Sequence, residues 1–361
     1  MGHEPHFPNN LDSTIMMCFD TCETKFLHQY CLRLAPHAVS PHLHAGGAFA
    51  LGCEVMRKAV YVEKLPRKQA LARAVNAFTL AWGDVDDPVD ARNPKTFANT
   101  LGALWDYFHV YNPETDPIQP FVGADGTPAI EFSFAIPMEV NHPETGDPIL
   151  YAGRFDMLGV YNKMICVLDE KTATSLSTNW ANQWSMRGQF LGYCFAAQHF
   201  GHNCSTAVVR GIAIQKTQYK HLQAIVQFQQ FHIERWWKQI NRRAKRMVEC
   251  WEHNDWGLSF GDGCASYGGC EYMELCVSPN PESWYGDYKE RLWDPLKRNP
   301  TALTDEVLSN GQNDKGRESG RRETRGAEQE GAREARRAKS GGVVTATESK
   351  SRWDEWVNDL K

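Results

Sequence analysis

Hydrophobic and polar positions along this chain repeat with two periods, and the switches between them outline a fold. Ile15, Cys18, Cys22, Phe26 and Tyr30 recur at three- and four-residue steps, which predicts a helix over 13–35 with Ser13 as its N-cap. A second helix is expected over AGGAFALGCEVMRKAVYVEKL. QALARAVNAFTLAWGDV and TFANTLGALWDYFHVY continue the pattern as a helical subdomain between 67 and 110. The period then changes. GADGTPAIEFSFAIPMEV alternates after a Gly-rich turn and reads as a strand, on which Glu131 either faces the site or, the plainer reading, faces solvent on a sheet edge. YAGRFDMLGVY, a tight turn at Asn162-Lys163 and MICVLDEKT form a hairpin, so three strands make an antiparallel meander. A helix is expected from about Asn179 to Phe200, with Trp184, Leu191 and Cys194 or Phe195 on one side. STAVVRGIAIQ and HLQAIVQFQQF then complete a mixed sheet, and a long helix spans Ile233 to Glu252.

Composition narrows this picture. At 361 residues the chain can bury one large core or two modest ones, and its net charge of −5 means that any DNA-binding surface must be a local basic patch. No apolar run reaches the roughly 20 residues that span a bilayer. The start lacks a signal-peptide pattern. A cytoplasmic setting is expected, with no membrane partner. Eleven cysteines in such a chain argue against a disulfide framework and for metal ligation or buried thiols. Residues 309–350 are Gly, Arg, Glu, Lys and Ser with almost no aliphatic side chain, which predicts disorder. In the last residues, Ser351 can cap a helix whose stripe is Trp353, Trp356, Val357 and Leu360.

Three constellations carry chemistry. Asp156 lies on the first hairpin strand, while Asp169 and Lys171 share one face of the second and Glu170 points away. Gln189 and Tyr193, four apart, share a helix face. Carboxylates bind Mg²⁺ or Mn²⁺, and a neighbouring lysine can orient or deprotonate a water, which is equipment for metal-assisted phosphodiester hydrolysis. The plainer alternative is a solvated strand end. Arg235, Lys238, Arg242 and Arg246 form a basic ridge beside two tryptophans, either a solvated face or a phosphate contact. Cys264, Cys270 and Cys276 stand at five-residue gaps among glycines and suit zinc, iron–sulfur or a structural role.

GRFD, LDEKT and QFLGY, in that order, resemble the successive motifs of the PD-(D/E)xK nuclease superfamily, in its RecB-like branch of CRISPR-associated and phage-type exonucleases. The resemblance implies an α/β fold, a restriction-endonuclease-like mixed sheet flanked by helices, with a helical subdomain. It implies Asp156, Asp169 and the Glu170 carbonyl as ligands of Mg²⁺ or Mn²⁺, Lys171 as the catalytic lysine, and Gln189 and Tyr193 as DNA contacts. The early Cys22 with Lys25-Phe26, and CASYGGCEYMELC, resemble the two halves of a [4Fe–4S] site, so Cys22, Cys264, Cys270 and Cys276 would staple the chain ends. The second helix resembles the family's GxxxHxxLE segment, with Gly46 and Glu54 matching but Ala50 in place of the histidine. Glu54 is then either a metal ligand or a solubilising charge, and His42 or His44 could substitute.

The expected organisation is a helical region with the first cysteine (1–115), a nuclease core (116–260), a cysteine segment (261–305), a charged linker (306–350) and an amphipathic docking peptide (351–361). The function implied is a metal-dependent DNA exonuclease acting on single strands or duplex ends, in recombination, repair or phage DNA metabolism. The alternative, motivated by Ala50, is a weak or inactive DNA-binding or assembly protein. The terminal peptide would dock on a protein partner or on the nuclease domain as a lid.

Overall fold

The hairpin at the centre of the sequence is also the centre of the fold. β5 (Pro148–Tyr161) and β6 (Met164–Ala173) pair antiparallel across a two-residue turn. Asn162 and Lys163 both adopt left-handed backbone, with φ 48° and 66°. Two such residues make the turn whose twist matches that of paired strands. The computed structural model describes residues 4–37, 40–88, 90, 92–265, 269–297 and 344–345. The expected charged linker (306–350, with disorder over 309–350) and the 351–361 peptide lie outside them, apart from Val344–Thr345.

The sheet grows outward from this hairpin. β4 (Ile130–Asn141) pairs antiparallel with β5, as do the two residues of β3 (Gln119–Pro120), and β1 (Asn10–Leu11) runs parallel to β5. β7 (Cys204–Ile214) lies parallel to β6, and β8 (Gln218–Gln227) antiparallel to β7. β10 (Val344–Thr345) pairs with Gln218 and Tyr219 on the outer edge of β8. The expected meander and mixed sheet are therefore present.

Helices cover both faces. On one side pack α1 (Ser13–Thr21), α7 (Gly188–His199) and α8 (Gln230–His253), sharing a core with Tyr151, Phe155 and Phe190. On the other pack α3 (Pro41–Arg57), α4 (Arg67–Trp82) and α5 (Phe97–Val110), closing over Ile212 and Ile214 of β7. α7 approaches its neighbours closely because of Gly192, where a β-carbon would stand 2.3 Å from the Tyr151 hydroxyl and 2.9 Å from the Trp236 ring. Among the described residues no helix is long and apolar enough to cross a membrane.

Two expected helices differ. The first is capped by Asp12, not Ser13, because the Asp12 carboxylate accepts from the amides of Thr14 and Ile15 at 2.9 and 2.7 Å. It also breaks at Cys22, which is extended (φ −167°, ψ 124°), and restarts as α2 (Glu23–Phe26) and a wide turn over Leu27–Cys31. The 179–200 helix is likewise two pieces. α6 (Thr178–Asn182) and a tight turn over Gln183–Met186 end at an extended Arg187, and α7 begins there. Apolar spacing does not register a single extended residue, because the stripe resumes beyond it.

The segment after α8 returns to the first helices. β2 (Leu34–Pro36) pairs with β9 (Tyr288–Glu290), and short helices α9 (Asp262–Ala265) and α10 (Met273–Val277) lie between α8 and β9. The Tyr272 hydroxyl donates to the Leu34 carbonyl at 2.7 Å, and Lys25 pairs with Glu271 at 3.1 Å. His28 is buried in this junction against Tyr272, and burial pushes its pKa from 6.5 down to about 4. The folded protein therefore keeps His28 neutral where the unfolded chain binds a proton, so stability is lost as pH falls below about 6.5. Replacing His28 with Phe should remove about 2 kcal/mol of the stability lost between about pH 7.5 and pH 5, read from urea midpoints.

Candidate active site

β6 is an interior strand, with β5 on one side and β7 on the other, so its side chains project into packed layers. Asp169 and Lys171 face α7. Glu170 faces α3 and α5, where its carboxylate pairs with Arg57 and accepts from the Tyr107 hydroxyl at 2.8 Å. The β5–β6 ladder ends at Met157 opposite Leu168, and the next positions in that register are Asp156 and Asp169. The two acids thus stand where the strands part, and the Glu170 amide donates to Asp156 Oδ2 at 3.3 Å.

Asp169 is 1% exposed. Its Oδ1 accepts from Gln189 Nε2 at 3.0 Å, and that same nitrogen lies 3.1 Å from the Tyr193 hydroxyl. Its Oδ2 lies 2.6 Å from Lys171 Nζ but receives no well-directed hydrogen bond. Burial pushes the Asp169 pKa up to about 6, against the pull of Lys171 and with the charge of Asp156 adding to the rise. Extended Arg187 aims the first turn of α7 at β6, which puts Gln189 over Asp169.

For Glu131 the solvent-facing reading is overturned in favour of the other. Its side chain is 6% exposed, not solvent-facing, and pairs with Arg154 at 3.1 Å. A left-handed backbone (φ 52°) turns it inward from the edge strand. Burial raises its pKa to about 8, with the charges of Asp156 and Glu54 pushing the same way. Strand alternation carried no signal for this turn. Glu54 is buried and paired with Lys58 at 2.7 Å. His44 packs on Trp82 at 4.8 Å, within the helical layer, and is not a member of the acid group.

A groove of 910 Å³ opens beside the acids, with Asp156, Lys171, Gln189, Arg187 and Arg235 in its walls. The predicted ridge fares unevenly. Arg235, Lys238, Arg242 and Arg246 are all exposed, but only Arg235 lines the groove, and Arg246 is held by Glu23 at 3.1 Å. The two tryptophans are not free to stack on bases. Trp236 packs against Tyr151 at 5.2 Å, and Trp237 stacks on Phe195 at 4.2 Å. The ridge missed Arg187 and Arg243, which the groove includes.

The four cysteines are brought into one neighbourhood. Cys22, at the helix break, lies 3.8 Å from the Gly257 carbonyl, and the Cys270 amide donates to the Cys264 carbonyl at 2.9 Å. Burial raises the Cys276 pKa to about 11, with Cys270, Cys22 and Cys264 each adding to the rise. Among the described residues, no three His, Cys, Asp or Glu side chains are disposed around one point to hold a metal ion. The donor chemistry nevertheless fits. Buried carboxylates that repel one another suit a hard divalent cation, and neighbouring thiols suit iron or zinc.

These features define an α/β protein whose mixed sheet presents acids and a lysine to a basic groove. A family model described as the PD-(D/E)XK nuclease superfamily matches residues 14–277, and the chain belongs to that superfamily. Its members typically use Mg²⁺ or Mn²⁺ and act on DNA. No curated protein matches the chain. Among solved structures it is similar to SSO0001, at 10% identity and a TM-score of 0.26, covering 76% of this chain and 87% of that one.

The acid group generates a prediction for the metal-free protein. Glu131 binds its proton more tightly folded than unfolded, so its cost grows as pH rises from about 4.5 to about 8 and is full above that. Glu131→Gln should therefore be more stable than wild type by about 2 kcal/mol at about pH 8.5, with the gain shrinking towards about pH 5. Thermal unfolding in EDTA across this range checks it, and a gain independent of pH would contradict it.

Proposed function

We propose that the protein is a metal-dependent DNA exonuclease of the RecB-like branch, acting on single strands or duplex ends in recombination, repair or phage DNA metabolism. The observation that carries this reading is the buried Asp169, held between Lys171 and Gln189, which with Asp156 line the wall of a basic groove. Asp156, Asp169 and the Glu170 carbonyl would hold Mg²⁺ or Mn²⁺, and Glu54 and Glu131 lie close enough to tune the site. The metal supplies Lewis-acid polarisation of the phosphodiester and its attacking water. Lys171 orients that water and holds or accepts its proton. Gln189 and Tyr193 fix the Asp169 rotamer and present their remaining polar atoms to the DNA.

The second reading is a DNA-binding or assembly protein with weak or no catalysis, favoured by Ala50. Cleavage separates the two. Purified protein should degrade end-labelled DNA with Mg²⁺ or Mn²⁺ and stop in EDTA. Asp169→Ala or Lys171→Ala should lower the rate by several orders of magnitude while DNA binding survives. Robust cleavage by Asp169→Ala would place the chemistry elsewhere.

The same reading extends to a [4Fe–4S] cluster on Cys22, Cys264, Cys270 and Cys276, supported by the raised Cys276 thiol, to which Cys270, Cys22 and Cys264 each contribute, and by the contact of Cys22 with the Gly257 carbonyl. Protein prepared without oxygen should be brown with about four irons per chain, as a four-thiolate cluster requires. Cys22→Ser should bleach it. Stoichiometric zinc with no iron would rule the cluster out.

A further inference from the structure

The N-terminal end of α7 carries more donors than the catalytic reading uses. No side chain caps this 12-residue helix, and among the described residues the amides of Gly188 and Gln189 donate to nothing. A helix start holds partial positive charge and unsatisfied N–H groups, which together favour an anion. A second observation is independent of the helix. Trp236, from α8, is 8% exposed, and its indole N–H has no hydrogen-bond partner among the described residues. Solvent reaches that nitrogen, and Trp236 lines the groove. The nitrogen lies beside the helix start, where a β-carbon on Gly188 would stand 3.3 Å from Nε1. Trp236, Gly188, Arg187 and Arg235 all line the groove beside Lys171. Arg187 and Arg235 are exposed and form no ion pair among the described residues, whereas Arg243, in the same groove, is held by Asp20 at 2.7 Å.

Resting on the nuclease reading, we propose that the start of α7, the Trp236 indole N–H, Arg187 and Arg235 form a phosphate site. It would hold a DNA phosphate adjacent to the one being cut. The donors suit a phosphate oxygen in kind: neutral N–H groups aimed from a rigid helix end, with guanidinium forks at the rim. Gly188 is the residue that leaves room for it, since any side chain there would crowd the indole. Such a site would set which linkage of the strand lies against Asp156 and Lys171. The phosphate could be an internal phosphodiester or a terminal monoester.

Oligonucleotides carrying a single neutral methylphosphonate at successive positions test this, with binding measured in EDTA on the full chain. One position should lose roughly tenfold in affinity for the wild-type protein, as removal of one charge-assisted contact would give. That loss should vanish in Arg187→Gln and Gly188→Ala, while sensitivity at other positions stays. Trp236→Phe should behave likewise, and if it fails to fold, the other two variants decide. Sensitivity confined to a 5′- or 3′-terminal phosphate identifies a monoester site, and sensitivity at an inner position identifies a diester site. Variants that bind every oligonucleotide as wild type does, or that weaken all positions equally, overturn the proposal. Cleavage of the same DNA reports on the nuclease reading separately. Cleavage without a position-specific effect rejects the phosphate site alone, and the effect without cleavage rejects the nuclease reading alone. No DNA binding at all overturns both.

Discussion

A carboxylate buried in the middle of a sheet is the constraint on which the rest of this structure depends. Asp169 can stay on β6 only if its charge is answered, because an ion without partners is very costly in a protein interior. Lys171, two residues on, answers it from the same strand, and Gln189 answers it from α7. Gln189 cannot reach it unless α7 starts where it does. The extended residue at Arg187 and the missing side chain at Gly192 therefore belong to the same requirement. One frees the helix start to point at β6, and the other lets the helix lie close to Tyr151 and Trp236.

Pleating places a second demand on the opposite face. Glu170 lies between the two site residues in sequence and so must enter the layer of α3 and α5. There it is held by Arg57 and Tyr107, while nearby Arg210 on β7 is clamped by Asp116 and lies 4.1 Å from the Tyr111 ring. Removing one partner of a buried pair is more damaging than removing both, since the survivor keeps its desolvation cost. The helical layer thus does more than cover the sheet. It fixes from behind the strand that carries Asp169 and Lys171, and the field of Arg57 also reaches Asp169 and Glu131.

The junction between the first helices and the cysteine segment is built from ordinary contacts. The β2–β9 pairing, the Tyr272–Leu34 hydrogen bond and the Lys25–Glu271 pair hold the cysteine segment against the first helices. Cys22 reaches that segment because the helix breaks at it. A thiol inside the expected apolar stripe would have pointed into the core, as Cys18 does.

Period and turn chemistry alone determined a good deal. The hairpin at Asn162-Lys163, the division of Asp169 and Lys171 from Glu170, the pairing of Gln189 with Tyr193 and the mixed sheet all follow from local rules, so they were legible in the residues. Order of motifs added the superfamily. What the sequence could not determine is whatever depends on a single backbone angle or on which helix face meets a neighbour. Glu131 enters the acid group through one left-handed residue, Arg187 and Cys22 interrupt stripes that otherwise run on, and Trp236 and Trp237 are spent on packing. The basic ridge is continuous in sequence, but only tertiary structure decides that Arg235 faces the groove while Arg246 is claimed by Glu23. The physical reason is the same in each case. Local periodicity reports the average face of an element, whereas a site is made by the few positions where elements end, turn or cross.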